Sequence, residues 1–441
     1  MWRALYLRDR FFLAFGLQAC LFVLGFAVPV VYPFALASLA FLLALLALDA
    51  WFLFRYPLPI RCRRTLPQVF NLGDPNKVQL QVGNASARPI WLNVVDEPPA
   101  MMPLKEKSFE LFLPPGAEKT LTYTLTPTRR GRFGFGQVNV FAHTSIGLLE
   151  RRQRAGEAVE VAVYPSILQM KKLALRAFPR IAHQQGIKKM RRIGHSYEFE
   201  QIKSYVRGDD YRSINWKASS RRASLMVNQY EDERAQQIYC VIDKSRSMRM
   251  PFQGLSLMDH AINASLVISN IALQKHDRAG LITFSDKVGA TLKADSRPTQ
   301  LRKILEALYR ERERPLEANF ELLYYLTRKL IHGRSLLLLF TNFESLYALE
   351  RTIGLLRRIN RSHLLVVVFF ENVDIRQEAE ASVATPEGVY RQTIARKFLQ
   401  EKTQMVQRLR QYGIQAILTS PQDLSVNTVN KYLELKSRGL I

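Results

Sequence analysis

Two runs near the start of the chain contain almost no polar position, about Phe11 to Tyr32 and about Pro33 to Phe54. Each is long enough, as a helix, to cross a hydrocarbon core of roughly 30 Å. They meet at Pro29-Val-Val-Tyr-Pro33, two prolines with no charge between them, which predicts a tight turn and so a helical hairpin. Two long runs without a small-residue cleavage site argue against a cleaved signal peptide. From about Thr65 to Pro165 the pattern changes to short alternating stretches: Lys77–Val82, Ile90–Val95, Thr120–Leu125 and Val138–Phe141. Turn signals separate them at Gly83-Asn84, Glu97-Pro-Pro99 and Pro114-Pro-Gly116, and this regular spacing predicts an antiparallel β-sandwich.

From Gln236 onward near-continuous apolar runs alternate with amphipathic ones. The strands predicted are Ile238–Ile242, Ala279–Phe284, Leu336–Phe340, Leu364–Phe370 and Gln415–Leu418. The helices predicted are Leu255–Leu273, Thr299–Arg312, Phe320–Ile331, Leu346–Ile359, Gln392–Gln411 and Leu424–Lys436. Strands apolar on both faces belong to a parallel sheet covered on both sides, and the order is that of a doubly wound α/β domain. The chain therefore divides into a transmembrane hairpin (1–60), a β-sandwich (65–165), a connector (166–235) and an α/β domain (236–441).

Charge adds orientation to this layout. The net charge is +25, with 63 Lys and Arg against 38 Asp and Glu, which implies contact with something acidic. Arg3, Arg8 and Arg10 precede the hairpin, and Arg55, Arg61, Arg63 and Arg64 follow it. Positive flanks on both sides predict that both termini and the later domains are cytoplasmic. Asp49, near the end of the second run, is expected at the interface or paired with a flanking Arg. The connector holds Lys171, Lys172, Arg176, Arg180, Lys188, Lys189, Arg191 and Arg192, a composition suited to an anionic lipid surface. It offers no helix-turn-helix and no zinc pattern, so nucleic acid is not the expected partner. Cys20, Cys62 and Cys240 form neither a disulfide framework nor a zinc spacing, in keeping with a reducing compartment.

Candidate chemistry concentrates between Ser196 and Met248. The first predicted strand of the α/β domain runs directly into Asp243-Lys-Ser245-Arg-Ser247. One carboxylate and two hydroxyls at the carboxyl end of a strand suit a hard divalent cation such as Mg²⁺. The alternative is a loop whose side chains cap backbone N–H groups. The spacing resembles the metal-ion-dependent adhesion site of von Willebrand factor A domains. Upstream, Arg207-Gly208-Asp209, Arg212, Ile214, Asn215, Trp216 and Lys217 closely resemble the signature of the bacterial family called domain of unknown function fifty-eight. In that family such a block precedes a von Willebrand A-like domain, and members are commonly encoded beside MoxR-type AAA+ ATPases.

The resemblance implies a membrane-anchored partner or adaptor of such an ATPase. It also implies a Thr from a later loop and an Asp after the middle strand to complete the metal shell. Here those positions offer Asn319 (or Glu317) and Asn342, with Glu344 nearby. Asn342 keeps an oxygen but loses a charge, so metal binding is expected to be weak or lost. The mixed character of the signature block predicts that Ile214 and Trp216 pack while Asp209, Arg212 and Lys217 pair or bond to backbone. The alternative function is a metal-dependent hydrolase or phosphatase using Asp243. Against it, the general acid expected two residues on is Ser245, and no phosphate loop, nucleophile elbow or His-Glu-x-x-His occurs. The expectation is a binding protein, not an enzyme.

Overall fold

The structure, a computed structural model, describes residues 4–55, 58–104, 108–167, 170, 198–206, 211–231, 235–381 and 385–440. The basic connector from Lys171 to Arg192, and Arg207, Gly208 and Asp209 of the signature, lie outside these residues. The chain forms two units, Met1–Ser166 and Ile167–Ile441.

The first unit begins with a short strand, β1 (Leu5–Leu7), followed by two helices, α1 (Asp9–Ala27) and α2 (Tyr32–Phe54). Both helices are long and apolar enough to cross a membrane. One turn of 3₁₀ helix at Pro29–Val31 joins them, where the two prolines forbid a continuous α-helix. Their polar groups face each other: Gln18 donates to the Ala35 carbonyl (2.7 Å) and accepts from the Ser38 hydroxyl (2.7 Å). Such interhelical bonds suit an apolar surround that satisfies no polar group itself. Gly25 permits the close turn, since a Cβ there would lie 3.1 Å from the Tyr32 Cα.

Ten further strands follow: β2 (Ile60–Thr65), β3 (Val69–Asn71), β4 (Asn76–Asn84), β5 (Ile90–Val95), β6 (Phe109–Leu113), β7 (Glu118–Leu125), β8 (Gly131–Phe135), β9 (Val138–His143), β10 (Leu149–Ala155) and β11 (Val159–Tyr164). They form a five-stranded antiparallel sheet, β1-β10-β9-β5-β6, and two three-stranded sheets, β2-β4-β7 and β3-β11-β8. Within the last, β3 and β11 run parallel. Burial alternates along β4 and β5, as period-2 patterning requires. Asp96, just after β5, takes a buried bidentate pair from Arg64 of β2 and the hydroxyl of Tyr123 of β7, linking the two antiparallel sheets.

Asp49 corrects the expectation of an arginine partner. It is fully buried on α2 and accepts from the backbone N–H groups of Leu148 (3.0 Å) and Leu149 (2.9 Å) and from the Thr144 hydroxyl. Arg151 donates to the Leu53 carbonyl at 3.0 Å, and β1 pairs antiparallel with β10 from Leu5↔Arg151 to Leu7↔Leu149. The five-stranded sheet is thus fastened to the helical hairpin at three places.

In the second unit an antiparallel hairpin, β12 (Glu198–Ser204) with β13 (Met226–Glu231), brackets the helix α3 (Trp216–Arg222). The sheet that follows comprises β14 (Gln237–Asp243), β15 (Arg278–Phe284), β16 (Val288–Asp295), β17 (Leu336–Phe340), β18 (Leu364–Phe370) and β19 (Gln415–Thr419). Their order is β16-β15-β14-β17-β18-β19, parallel except for β16 at one edge. The helices are α4 (Leu257–Gln274), α5 (Gln300–Arg310), α6 (Phe320–Leu330), α7 (Leu346–Ser362), α8 (Val373–Glu380), α9 (Pro386–Gln411) and α10 (Leu424–Ser437). One core gathers Cys240 and Ile242 against α4, α5 and α10. The other gathers Tyr239 and Val241 against α6, α7 and α9. Alternate residues of one strand therefore feed opposite layers, the doubly wound arrangement.

Candidate functional site

Strand order fixes where this unit can present a site. The chain winds outward from β14 in one direction through β15 and β16, then returns to β17 and winds the other way. The loops leaving the carboxyl ends of β14 and β17 must diverge there, opening a crevice at the topological switch point. The first loop is Lys244–Met248, closed by a 3₁₀ turn at Arg246–Met248; the second is Thr341–Glu344.

Asp243 ends β14 and ties the two loops together. It is 1% exposed; its Oδ1 accepts from the Ser245 N–H (2.8 Å) and its Oδ2 from the Thr341 hydroxyl (2.7 Å). Burial pushes its carboxyl above the usual range, although the bonds from Thr341 and Ser245 pull the other way. The hydroxyls of Ser245 and Ser247 lie 3.1 Å apart. The loop is held from outside by the Arg246 N–H donating to Leu316 (2.9 Å) and the Arg314 N–H donating to Lys244 (2.8 Å).

Asn342 joins this cluster. Its Nδ2 donates to the Ser247 carbonyl at 3.4 Å, and its Oδ1 accepts from the Lys402 ammonium of α9 at 3.0 Å. The same ammonium also donates to the Phe343 carbonyl. Burial lowers the Lys402 pKa to about 8, against the upward pull of Glu344 and Glu401. Asn319 lies elsewhere in role: it is the N-cap of α6, its Oδ1 accepting from the Leu322 N–H (3.0 Å). Glu344 is exposed and turns to Arg246 (3.3 Å), which also stands 3.9 Å from the exposed Glu317.

Beside the first loop, Glu311 accepts from Lys244 Nζ (2.7 Å), the Thr283 hydroxyl (2.7 Å) and the Ala290 N–H (2.7 Å). Burial raises its carboxyl, but these bonds and the Lys244 charge outweigh that and hold it below the usual range. Gly289 makes room for the cluster, since a Cβ there would fall 2.1 Å from Thr283 Oγ1.

A Mg²⁺ shell needs several oxygens and enough negative charge to replace water. Asp243, Ser245 and Ser247 share one loop with the two hydroxyls 3.1 Å apart, but both Asp243 oxygens already accept hydrogen bonds. The remaining donors do not fit: the Asn319 oxygen caps a helix, the Asn342 oxygen faces an ammonium, and Glu344 pairs with Arg246. A divalent ion beside Asn342 would meet the Lys402 charge instead of a carboxylate.

The described part of the signature segment is built around Asn215. It caps α3 by accepting from the Ala218 N–H (3.0 Å) and donates to the Asn228 side chain (2.8 Å), while its own N–H donates to Met226 (2.8 Å). Ile214 is half-buried and bridges to Val227. Trp216 corrects the expected packing: it opens α3 with its side chain toward solvent, 71% exposed, and Lys217 and Tyr211 are exposed beside it. Arg212 lies over the Tyr211 ring, 5.7 Å from its centroid.

Thr341 and Lys402 are the site residues that the sequence reading missed. Thr341 was visible as the hydroxyl ending the middle strand. Lys402 follows Ala395 by seven positions and precedes Met405 by three, so it falls on the buried stripe of α9, where a lysine needs a reason.

The fold and site define a two-unit chain: an apolar hairpin carrying antiparallel sheets, and an α/β unit with a polar switch-point cluster. The family description "Protein of unknown function DUF58" matches residues 201–382, from the signature hairpin through α8. Over 131 residues, 29% of this chain, the sequence is 27% identical to "Uncharacterized protein YeaD" of Bacillus subtilis, and the match spans 32% of that protein. Among solved structures the chain is similar to BatB of Bacteroides thetaiotaomicron, a conserved hypothetical protein, at 13% identity, with 31% of this chain and 66% of that one covered and a TM-score of 0.25. It is also similar to Escherichia coli alpha-2-macroglobulin at 21% identity, with 24% and 17% covered and a TM-score of 0.22. Likenesses this slight leave the fold to rest on its own topology.

Proposed function

We propose that this chain is a membrane-anchored, cytoplasm-facing binding protein of a bacterial inner membrane. Its α/β unit, in this reading, is a von Willebrand A-like domain that docks a MoxR-type AAA+ ATPase at the switch point. The observation that carries the reading is the Asp243–Thr341 bond, which draws the β14 and β17 loops into one polar surface where ligands of open α/β sheets bind. Binding is favoured over catalysis because both oxygens of Asp243 already accept hydrogen bonds and the residue is buried, a poor placement for a nucleophile. The arginines flanking the apolar hairpin support the orientation.

The test is capture of a purified MoxR-type ATPase from the same genome by the detergent-solubilised full chain. Ser247→Glu, which adds bulk and like charge between the loops, should abolish capture of an ATPase that presents a carboxylate. Capture unchanged by Ser247→Glu would move the contact away from the switch point. Reporter fusions at Met1 and Ile441 should both give cytoplasmic signals, and a periplasmic signal from Ile441 would remove this class of partner.

A further inference from the structure

We propose that the Lys402 ammonium is the resident cation of the switch-point site, taking the part of a divalent metal and offering one N–H to a carboxylate of the docking partner. The inference rests on the docking reading above and names the chemistry of that contact. An ammonium carries three donors. Two are directed at the Asn342 Oδ1 and the Phe343 carbonyl, both neutral acceptors on the second loop. Lys402 makes no ion pair among the described residues, and it is only partly covered by protein. A cation held by neutral oxygens, though it feels Glu344 and Glu401, has no directly paired carboxylate among the described residues to cancel it and can meet an incoming anion. Water solvates it less than it would a free lysine, so an opposite charge gains more from meeting it there. The Phe369 ring, 6.0 Å from Nζ, gives a further weak hold on the cation.

The placement also explains Asn342. An aspartate here would pair with Lys402 and cancel the charge, whereas the amide orients the ammonium without neutralising it. The same amide reaches back to the Ser247 carbonyl, so the cation, the second loop and the hydroxyl-bearing first loop are linked through one side chain. Arg246, 55% exposed on the first loop, adds a second positive group to the rim, shared with Glu344 and Glu317. The ligand this selects is a carboxylate on a partner protein.

Two measurements on the detergent-solubilised full chain test it. Mn²⁺ binding followed by paramagnetic resonance should show no Asp243-dependent site up to about 1 mM, the weak end for oxygen-ligand sites. Asn342→Asp combined with Lys402→Met, which restores a carboxylate and removes the ammonium, should create one. Asp243-dependent Mn²⁺ binding by the unaltered chain overturns the proposal whatever the partner does. In the second measurement, capture of the same purified ATPase should survive chelator, fall about tenfold or more in Lys402→Met, and be largely kept in Lys402→Arg. Capture lost in Ser247→Glu but intact in Lys402→Met overturns the role of Lys402 and leaves docking standing. Capture indifferent to both overturns the docking reading instead. Lys402→Met replaces a poorly solvated charge with an apolar chain of similar length, so a loss of capture in a variant that melts no lower is not a folding effect.

Discussion

Asp49 and Asp243 are equally hidden from solvent, yet their surroundings differ in kind. Asp49 accepts three bonds, two from consecutive backbone N–H groups where the chain enters β10, and its neighbours on α2 are apolar. Asp243 accepts two; its own loop carries Ser245 and Ser247, Asn342 follows the Thr341 that donates to it, and an ammonium bonds that amide. An ionised carboxylate offers about four acceptor positions. The first is largely filled by its own fold; the second sits in a cluster whose outer members still have polar capacity toward solvent. Burial by itself marks neither as functional. What separates them is the chemistry left over once the fold is satisfied.

The comparison breaks most visibly at Asp49. Replacing it with Ala leaves two backbone N–H groups and a hydroxyl without an acceptor at the end of an apolar helix. The cost should be about 3 kcal/mol or more, read as a lower melting temperature and faster proteolysis of the β-rich part in detergent. A loss no greater than that of Leu48→Ala, on the exposed side of the same helix, would mean that Asp49 does not fasten the sheet. Asp243→Ala should cost less, about 2 kcal/mol, because it strands two donors instead of three. It should nevertheless abolish capture of the ATPase. Asp243→Asn, which keeps one acceptor, should retain most of the stability; equal damage from Asn and Ala would show that charge, not loop geometry, matters there.

Glu311 sharpens the contrast with a smaller effect. Its carboxyl is held below the ordinary 4.5 by Lys244, Thr283 and Ala290, despite the opposing effect of burial. The folded state therefore favours the ionised form. That contribution is complete above the unfolded value and is lost as pH falls through the depressed folded value. In Glu311→Gln the acid-dependent part should vanish, so the stability curves of the two proteins should converge as pH drops. Curves that stay parallel would place the source of acid sensitivity elsewhere.

Much of this architecture was legible in the chain. Apolar runs located β14, β15, β17, β18 and β19 within a residue or two, because strands buried on both faces leave no polar gaps. The edge strand β16 was not legible: Val288–Asp295 mixes polar and small residues, as an edge allows. Nor was the first turn of α9, where Pro386 opens the helix behind a Thr385 cap, six residues ahead of the amphipathic run. At the site, Asp243, Ser245 and Ser247 announced themselves by spacing. Asn319 was misread because a cap and a metal ligand use the same oxygen. Lys402 lies 60 residues from Asn342 in sequence, and only the fold brings its charge to the loop. The exposure of Trp216 had no local signal, since an apolar residue at the first position of a helix reads the same whether covered or bare.

The central claim is that the partner contacts the α/β unit at the switch point, and a pair of photo-crosslinkers tests it most directly. One replaces Arg246 on the rim of the Asp243 loop; the other replaces Tyr211, exposed in the signature segment. Irradiation of membranes holding the full chain and the ATPase should yield an adduct from position 246 and none from position 211. An adduct from position 211 alone would put the contact on the signature surface and contradict the account.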